Sequence, residues 1–195
     1  MSLHDLYVVS PYLSVAGIAI LVILLDLAIP KKGLLPVAAF IGLLAPLALS
    51  LLQLRDLSNS TQLLADGSVL LGTLSVDRFA LFFNFLVLAS TGLVIIASSE
   101  YVAKMDRFRG EYFGLILFSA TGMMLLAAAT ELITIYISLE LITLPLAALA
   151  AFLMTARSTE AGMKFLIVGA MSSALMLYGM ALIFGFTGST TLEGI

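Results

Sequence analysis

The chain of 195 residues is 62% hydrophobic and only 11% charged, with a mean hydropathy of +1.17. A soluble domain carries about 25% charged residues, and a core of this size could not hide so much apolar surface, so lipid must be the main solvent. The nine Lys and Arg residues lie in short clusters rather than on a basic face, which argues against nucleic-acid binding. The chain has no cysteine, and its single histidine is His4 in a polar stub, which excludes disulfides, iron–sulfur ligation and a histidine-based metal site in this chain.

Six apolar stretches are long enough to cross a bilayer core as helices, which takes about 20 residues. They cover residues 11–29, 34–54, 76–99, 112–129, 131–152 and 161–186. These runs are too long for barrel strands, and helices are the only other structure that satisfies every backbone polar group in lipid. The sequence therefore predicts an all-α integral membrane protein, with one transmembrane domain over residues 1–195.

Details of the connections follow from the residues between the spans. We expect Pro36 and Pro46 to tilt or kink the second span, and a polar loop to run from Arg55 to Ser75. Only a residue or two separate the fourth span from the fifth, so these two should form a tight antiparallel hairpin. The first span lacks a basic flank and a cleavage pattern and contains Asp26, so we interpret it as a retained helix rather than a signal peptide.

The distribution of Lys and Arg between the spans predicts the orientation. One side carries six of them and the other side two: Lys31, Lys32, Lys104, Arg107, Arg109 and Arg157 against Arg55 and Arg78. Because these residues accumulate on the cytoplasmic side, we expect the N-terminus to face outward.

Most charged residues near the spans lie within about a turn of an interface, where we interpret them as end anchors or ion pairs, such as Asp26 with Lys31. This group comprises Asp26, Asp77, Arg78 and Glu131. A second group is expected to form a solvated loop: Glu100, Lys104, Asp106, Arg107, Arg109 and Glu111.

Glu140 is different, because it lies about nine residues into the fifth span, or roughly 13 Å deep. Tyr136 and Thr143 share its helix face, and Pro145 has no N–H to donate to the carbonyl of Leu141. A carboxylate, a hydroxyl and a freed carbonyl near the midplane are the parts of a small hydrated site. The alternative is a protonated Glu140 that only hydrogen-bonds across a helix interface.

Lys164 lies about four residues inside the sixth span. It could either extend to the headgroups or carry a proton, with its charge balanced by a carboxylate. Glu140 and Lys164 would differ by roughly 10 Å along the membrane normal, so we expect water or another residue between them. Gly162, Gly169 and Ser173 are placed on the opposite helix face from Lys164 and interpreted as small residues for close helix packing.

Three segments stand out as a recognisable pattern: residues 111–124, Leu132-Ile133-Thr134-Ile135-Tyr136-Ile137-Ser138-Leu139-Glu140-Leu141 and Leu144-Pro145-Leu146. They resemble a known family, the antiporter-like subunits of respiratory complex I. The segments Glu160-Ala161-Gly162-Met163-Lys164-Phe165 and Leu177-Tyr178-Gly179 are most similar to the subunit N branch. The strong resemblance covers about residues 111–195, and earlier residues agree in helix order and in Asp77-Arg78-Phe79 at the start of the third span.

The resemblance implies that Glu140 and Lys164 are proton-channel residues of a complex that couples NADH oxidation by quinone to proton translocation across the inner (plasma) membrane. It implies other complex I membrane subunits as partners, with NADH, flavin, iron–sulfur clusters and quinone bound by partners and no cofactor or independent catalytic activity in this chain. Family members have about fourteen helices, with channel lysines on broken seventh and twelfth helices. We therefore expect the chain to be incomplete, ending before a seventh helix.

Two other functions stay open. A subunit of a Mrp-type sodium/proton antiporter or of a membrane-bound hydrogenase would share the carboxylate at Glu140. A non-transporting membrane scaffold would use Glu140 only for helix packing.

Overall fold

The structure is a computed structural model and describes residues 3–28, 34–58, 69–70, 73–103 and 108–195. In these ranges the helices are α1 Leu3–Ala28, α2 Leu35–Gly42, α3 Leu44–Ser58, α4 Arg78–Ala103, α5 Arg109–Ala128, α6 Leu132–Ala150 and α7 Ala156–Thr187. Two short strands, β1 Val69–Leu70 and β2 Leu74–Ser75, lie between α3 and α4, and a 3-10 turn, Leu192–Gly194, follows α7. Counting α2 and α3 as one span, 6 helices are long and apolar enough to cross a membrane, which confirms the expected all-α membrane fold.

The second span is interrupted between α2 and α3. Pro46 has no N–H to donate to the carbonyl of Gly42, four residues earlier, and the helix breaks just there. At the break, the amide of Leu43 donates to two carbonyl oxygens of the preceding turn, at 3.3 and 3.2 Å. Pro36 lies in the first turn of α2, where a proline costs no helical hydrogen bond. The distortion expected in this span is therefore present at Pro46, while Pro36 starts the helix.

The central helix of the bundle is α5, which packs against α1, α4 and α6. Its residues Phe113, Leu117 and Met124 are completely buried. Small residues allow its neighbours to approach closely: a Cβ atom added to Gly122 would lie 2.9 Å from the carbonyl oxygen of Ser138 on α6. The linker of three residues between α5 and α6 confirms the tight hairpin expected for the fourth and fifth spans.

Short backbone pairings tie together one side of the bundle, which we call the strand side. There β1 pairs with β2, Leu74 pairs with Ala129, and Glu131 pairs with Thr191. The α5–α6 linker thus lies between β2 and the segment that follows α7. The expected loop from Arg55 to Ser75 was wrong in its first part, because α3 continues to Ser58, and the strand pairing was not foreseen.

Two of the charged residues near helix ends act as anchors, as expected. Asp77 caps α4, where its Oδ1 accepts a hydrogen bond of 2.7 Å from the amide of Ala80. At the opposite side of the bundle, Asp26 accepts a hydrogen bond of 3.1 Å from the amide of Gly110 in the first turn of α5. Both carboxylates thereby face the positive end of a helix dipole.

Four charged residues that were expected in an ion pair or in the solvated loop lie outside the described ranges. They are Lys31, the expected partner of Asp26, and the loop residues Lys104, Asp106 and Arg107. Within the described part, Arg109 donates a hydrogen bond of 2.8 Å to the carbonyl of Ala103.

The close approach at Gly122 can be tested with a matched pair of alanine substitutions. Gly122→Ala should destabilise the protein by about 1–3 kcal/mol, because the new methyl group would press on the backbone of α6. Gly17→Ala on α1, where an added Cβ meets nothing within 4 Å, should be neutral or stabilise by up to about 1 kcal/mol through helix propensity. The thermal unfolding midpoints of the two variants in detergent, compared with the parent, would show equal effects if the α5–α6 contact were not close.

Candidate functional site in the groove between the last two helices

Glu140 is the ninth of the 19 residues of α6, halfway along a helix that can span the bilayer. Its side chain is half-buried and turned toward α7. There the hydroxyl of Ser173 donates a hydrogen bond to Oε1 of Glu140. A charged group at this depth costs at least about 2.5–3.5 kcal/mol, and a donor from the neighbouring helix offsets part of that cost.

The backbone around Glu140 offers further polar atoms. Pro145 is buried within α6, and the helix continues past it although no N–H is available for the carbonyl of Leu141. The hydroxyl of Thr143 points back along the helix to the carbonyl of Glu140, at 3.5 Å. That distance is at the limit of a hydrogen bond, so the hydroxyl keeps most of its capacity for another partner.

Glu140 also lines a small cavity of about 40 Å³ between α6 and α7. A cavity needs about 10–15 Å³ to admit a water molecule, and the carboxylate and Thr143 provide polar partners for it. A larger groove of about 680 Å³ adjoins the cavity, since Thr143, Phe165 and Gly169 line both. The carboxylate therefore has room for water beside it, in a cavity that neighbours the larger groove.

Lys164 lines the larger groove together with Tyr136, but its ammonium group does not contact Glu140. Instead, its Nζ lies 2.5 Å from Oε1 of Glu160, one turn earlier in α7. The two side chains are 72% and 64% exposed, and an ion pair so accessible contributes no more than about 1 kcal/mol. Lys164 is thus weakly held at the edge of the groove that leads to Glu140.

Three of the predicted site residues line one groove: Tyr136 and Thr143 from α6 and Lys164 from α7. Glu140 lines the small cavity that neighbours it, and Pro145 lies just beyond Glu140 on α6. Glu140 and Lys164 have different partners, Ser173 and Glu160.

Ser173 is the partner that sequence reasoning missed, since it was assigned to helix packing. Of the three small residues in that set, only Gly162 packs closely: a Cβ atom there would lie 3.0 Å from the carbonyl oxygen of Ala147. At Gly169 an added Cβ would meet nothing within 4 Å. A count of depth could have found Ser173, because it is the eighteenth of the 32 residues of α7 and so lies at mid-helix, as Glu140 does.

Comparison with known proteins agrees with this arrangement. Residues 129–195 match the family described as NADH:quinone oxidoreductase/Mrp antiporter, TM. NADH-quinone oxidoreductase subunit N of Dehalococcoides mccartyi is 40% identical over 178 residues, which are 91% of this chain and 35% of the relative. Subunit N 1 of Koribacter versatilis is 36% identical over 100% of this chain and 39% of its own length.

Two solved structures share the fold. A chain of respiratory complex I from Thermus thermophilus has a TM-score of 0.73 at 29% identity, over 93% of this chain and 38% of that one. A chain of an archaeal membrane-bound sulfane sulfur reductase has a TM-score of 0.74 over 98% of this chain and 39% of that one, but at 19% identity it shows the fold alone. The chain spans little more than a third of the length of the proteins that it matches.

The matched residues 129–195 contain α6 and α7, and hence the groove and the cavity that Glu140 lines. This part of the chain matches the antiporter-like membrane family that NADH:quinone oxidoreductases share with Mrp antiporters. Within that family, both curated relatives described above are subunit N of NADH-quinone oxidoreductase. The resemblance found in the sequence is therefore confirmed.

The hydrogen bond from Ser173 to Glu140 predicts a coupling that a double-mutant cycle can measure. Ser173→Ala should destabilise the α6–α7 pair by about 1.5–3 kcal/mol, because a half-buried carboxylate loses its donor. In a Glu140→Leu background the same substitution should cost almost nothing.

Ser172→Ala provides the matched control, since Ser172 lines the groove without a hydrogen bond to Glu140. Thermal unfolding of the full-length protein in lipid nanodiscs would give the free energies. Equal effects of Ser173→Ala in both backgrounds would show that the two side chains do not interact.

Proposed function

We propose that this chain is the N-terminal part of a proton-translocating membrane subunit of NADH:quinone oxidoreductase, and that Glu140 is the group that holds charge within the membrane. The observation that carries the proposal is a carboxylate at mid-helix, bonded to Ser173 of the next helix and lining a cavity with room for water. A carboxylate kept only for helix packing would not need a cavity with room for water beside it. The similarity to subunit N supports the same function.

In this proposal Glu140 acts by electrostatics on a neighbouring cation. At a separation of roughly 10 Å and an effective dielectric constant of about 20, two unit charges interact by about 1.7 kcal/mol. That energy changes a protonation ratio more than tenfold, since 1.36 kcal/mol corresponds to one pH unit. In the proposal, gaining or losing the charge on Glu140 therefore changes the electrostatic energy of a cation along the groove, with water between them.

The proposal also specifies which parts of the complex and which membrane would surround the chain. Among the residues of α7 only Gly162 is buried, so most of this helix is available to the remaining part of a longer subunit. NADH, flavin, iron–sulfur clusters and quinone would be bound by other subunits of the complex. This chain would contribute proton transfer in the inner (plasma) membrane, with the strand side facing outward as its Lys and Arg distribution predicts.

A subunit of a Mrp-type antiporter is the second candidate, because the description of the matched family names it as well. A membrane-bound hydrogenase subunit would share the same carboxylate. Purification in mild detergent separates these possibilities, since only the NADH:quinone oxidoreductase would bring a flavin-containing NADH-oxidising arm. A scaffold without transport would tolerate replacement of Glu140.

Replacing the carboxylate by its neutral amide tests the proposed role directly. Glu140→Gln in the full-length protein should lower proton pumping per NADH oxidised while the complex still assembles, because the amide keeps the shape but loses the charge and the interaction of about 1.7 kcal/mol. Proton uptake by vesicles during NADH oxidation would measure it, with assembly checked by native gel electrophoresis.

Glu193→Gln is the control, as Glu193 is an exposed carboxylate in the 3-10 turn beyond α7. It should pump at the parent rate. If an assembled Glu140→Gln complex also pumped at that rate, the scaffold function would be favoured.

The orientation can be tested because the chain has no cysteine of its own. In a cysteine-free background, Ser58→Cys at the strand end of α3 should react with a membrane-impermeant maleimide on intact cells. Thr159→Cys in the first turn of α7 should react only after the membrane is permeabilised. The reverse labelling pattern would place the N-terminus in the cytoplasm.

A further inference from the structure

A group of buried polar side chains lies between α1, α3 and α4, in a different part of the bundle from Glu140. Nearest the strand side, these helices meet through an apolar contact among Val8, Leu57 and Leu81. One turn further into the bundle, the same three helices carry Tyr12, Gln53 and Asn84. These residues lie four after Val8, four before Leu57 and three after Leu81, respectively. The antiparallel course of α3 brings these three side chains to one level.

All members of this group are more than nine-tenths buried. Gln53 and Asn84 are 0% exposed and Tyr12 is 2% exposed, while Ser50, one turn from Gln53 on α3, is also 0% exposed. By helix rise they lie on the order of 10 Å from the helix ends at the strand side. The group is therefore enclosed by the helices of this chain and lies within the depth of the membrane.

Pro11 explains why the side-chain nitrogen of Gln53 has a hydrogen-bond partner. Because Pro11 has no N–H, the carbonyl of Tyr7 lacks its helical donor, and Nε2 of Gln53 supplies one at 2.8 Å. The hydroxyl of Ser10 also donates to this carbonyl, at 2.8 Å. The other end of the side chain, Oε1 of Gln53, has no hydrogen-bond partner in the part of the chain that the structure describes.

The other polar side-chain atoms of the group also lack hydrogen-bond partners among the described residues. The hydroxyls of Tyr12 and Ser50 and both amide atoms of Asn84 are buried without a hydrogen bond to any described residue. The Asn84 amide lies beside the Tyr12 hydroxyl, but without the geometry of a hydrogen bond. Each buried polar atom left in this way costs about 1–3 kcal/mol, more than a membrane helix bundle would sustain at one site without compensation.

We propose that Tyr12, Ser50, Gln53 and Asn84 form a binding site for internal water. The group mixes donors, such as Nδ2 of Asn84, with acceptors, such as Oε1 of Gln53, and a water molecule donates and accepts in the same way. A metal cation would need acceptors alone, with carboxylates among them. The two nearest carboxylates are already engaged: Asp77 caps α4 and Asp56 accepts from the Tyr7 hydroxyl at 2.6 Å.

The water site has a polar connection toward the strand side. Gln53 is bonded to the backbone of Tyr7, and the Tyr7 hydroxyl is bonded to Asp56 near the end of α3. The site does not depend on the function proposed for Glu140, because none of its residues lines the groove between α6 and α7.

A cryo-EM map of the assembled complex, at a resolution that shows ordered water, tests the proposal. The parent protein should show at least one peak at hydrogen-bond distance, about 2.7–3.2 Å, from Asn84 and Gln53. Asn84→Leu should remove the peak. Thr91→Val is the matched control on the same helix, because the buried Thr91 hydroxyl donates to the carbonyl of Val87 in its own helix and should leave the water in place.

Two results would overturn the proposal. One is a parent map in which the four side chains pair directly with one another and no peak lies between them. The other is a peak at about 2.3–2.6 Å from several oxygen atoms, which is the distance of a bound hard cation. The parent map decides between these results even if Asn84→Leu fails to assemble.

Discussion

A backbone carbonyl in lipid must find a donor, and this constraint decides where polar chemistry collects in the bundle. Three prolines lie beyond the first turn of a span, and each leaves the carbonyl four residues earlier without its helical N–H donor: Pro11, Pro46 and Pro145. At Pro11 the amide of Gln53 supplies the missing donor, and at Pro46 the helix breaks into α2 and α3. At Pro145 the helix continues, and the freed carbonyl lies one residue from Glu140. At two of the three prolines, a polar side chain thus lies beside the interrupted helical hydrogen bonding.

The coupling between α6 and α7 depends on few contacts, which gives Glu140 its importance. Gly162 allows the two helices to touch near one end, and Ser173 joins them at mid-helix through the carboxylate. At the strand side, the segment after α7 pairs with the α5–α6 linker through Glu131 and Thr191. Because α7 is otherwise exposed, a small shift of this helix would change the hydrogen bond to Glu140 before it disturbed the core around α5.

The helices could be predicted from the sequence because length and hydropathy alone determine them in a membrane protein. The depth of Glu140 followed from the same count of residues. The partner of Glu140 was missed because Ser173 was grouped with the small packing residues, although its hydroxyl and its mid-helix depth distinguish it from Gly169. The pairing of Lys164 with Glu160 was not predicted, although Glu160 lies four residues earlier on α7, the spacing at which such helix ion pairs form. The short strands depend on contacts between distant segments, which no local pattern encodes.

The two buried polar sites differ in one chemical respect that separates their roles. The group around Asn84 is made of neutral side chains, so it can orient water molecules but cannot store a proton at physiological pH. Glu140 carries an ionisable carboxylate, which lines a cavity with room for water between α6 and α7. A membrane helix tolerates a hydrated neutral site as part of its packing. A charged group at mid-depth is costly, so Glu140 needs the hydrogen bond from Ser173 and the cavity beside it, whereas the enclosed group on α1, α3 and α4 has no charge to compensate.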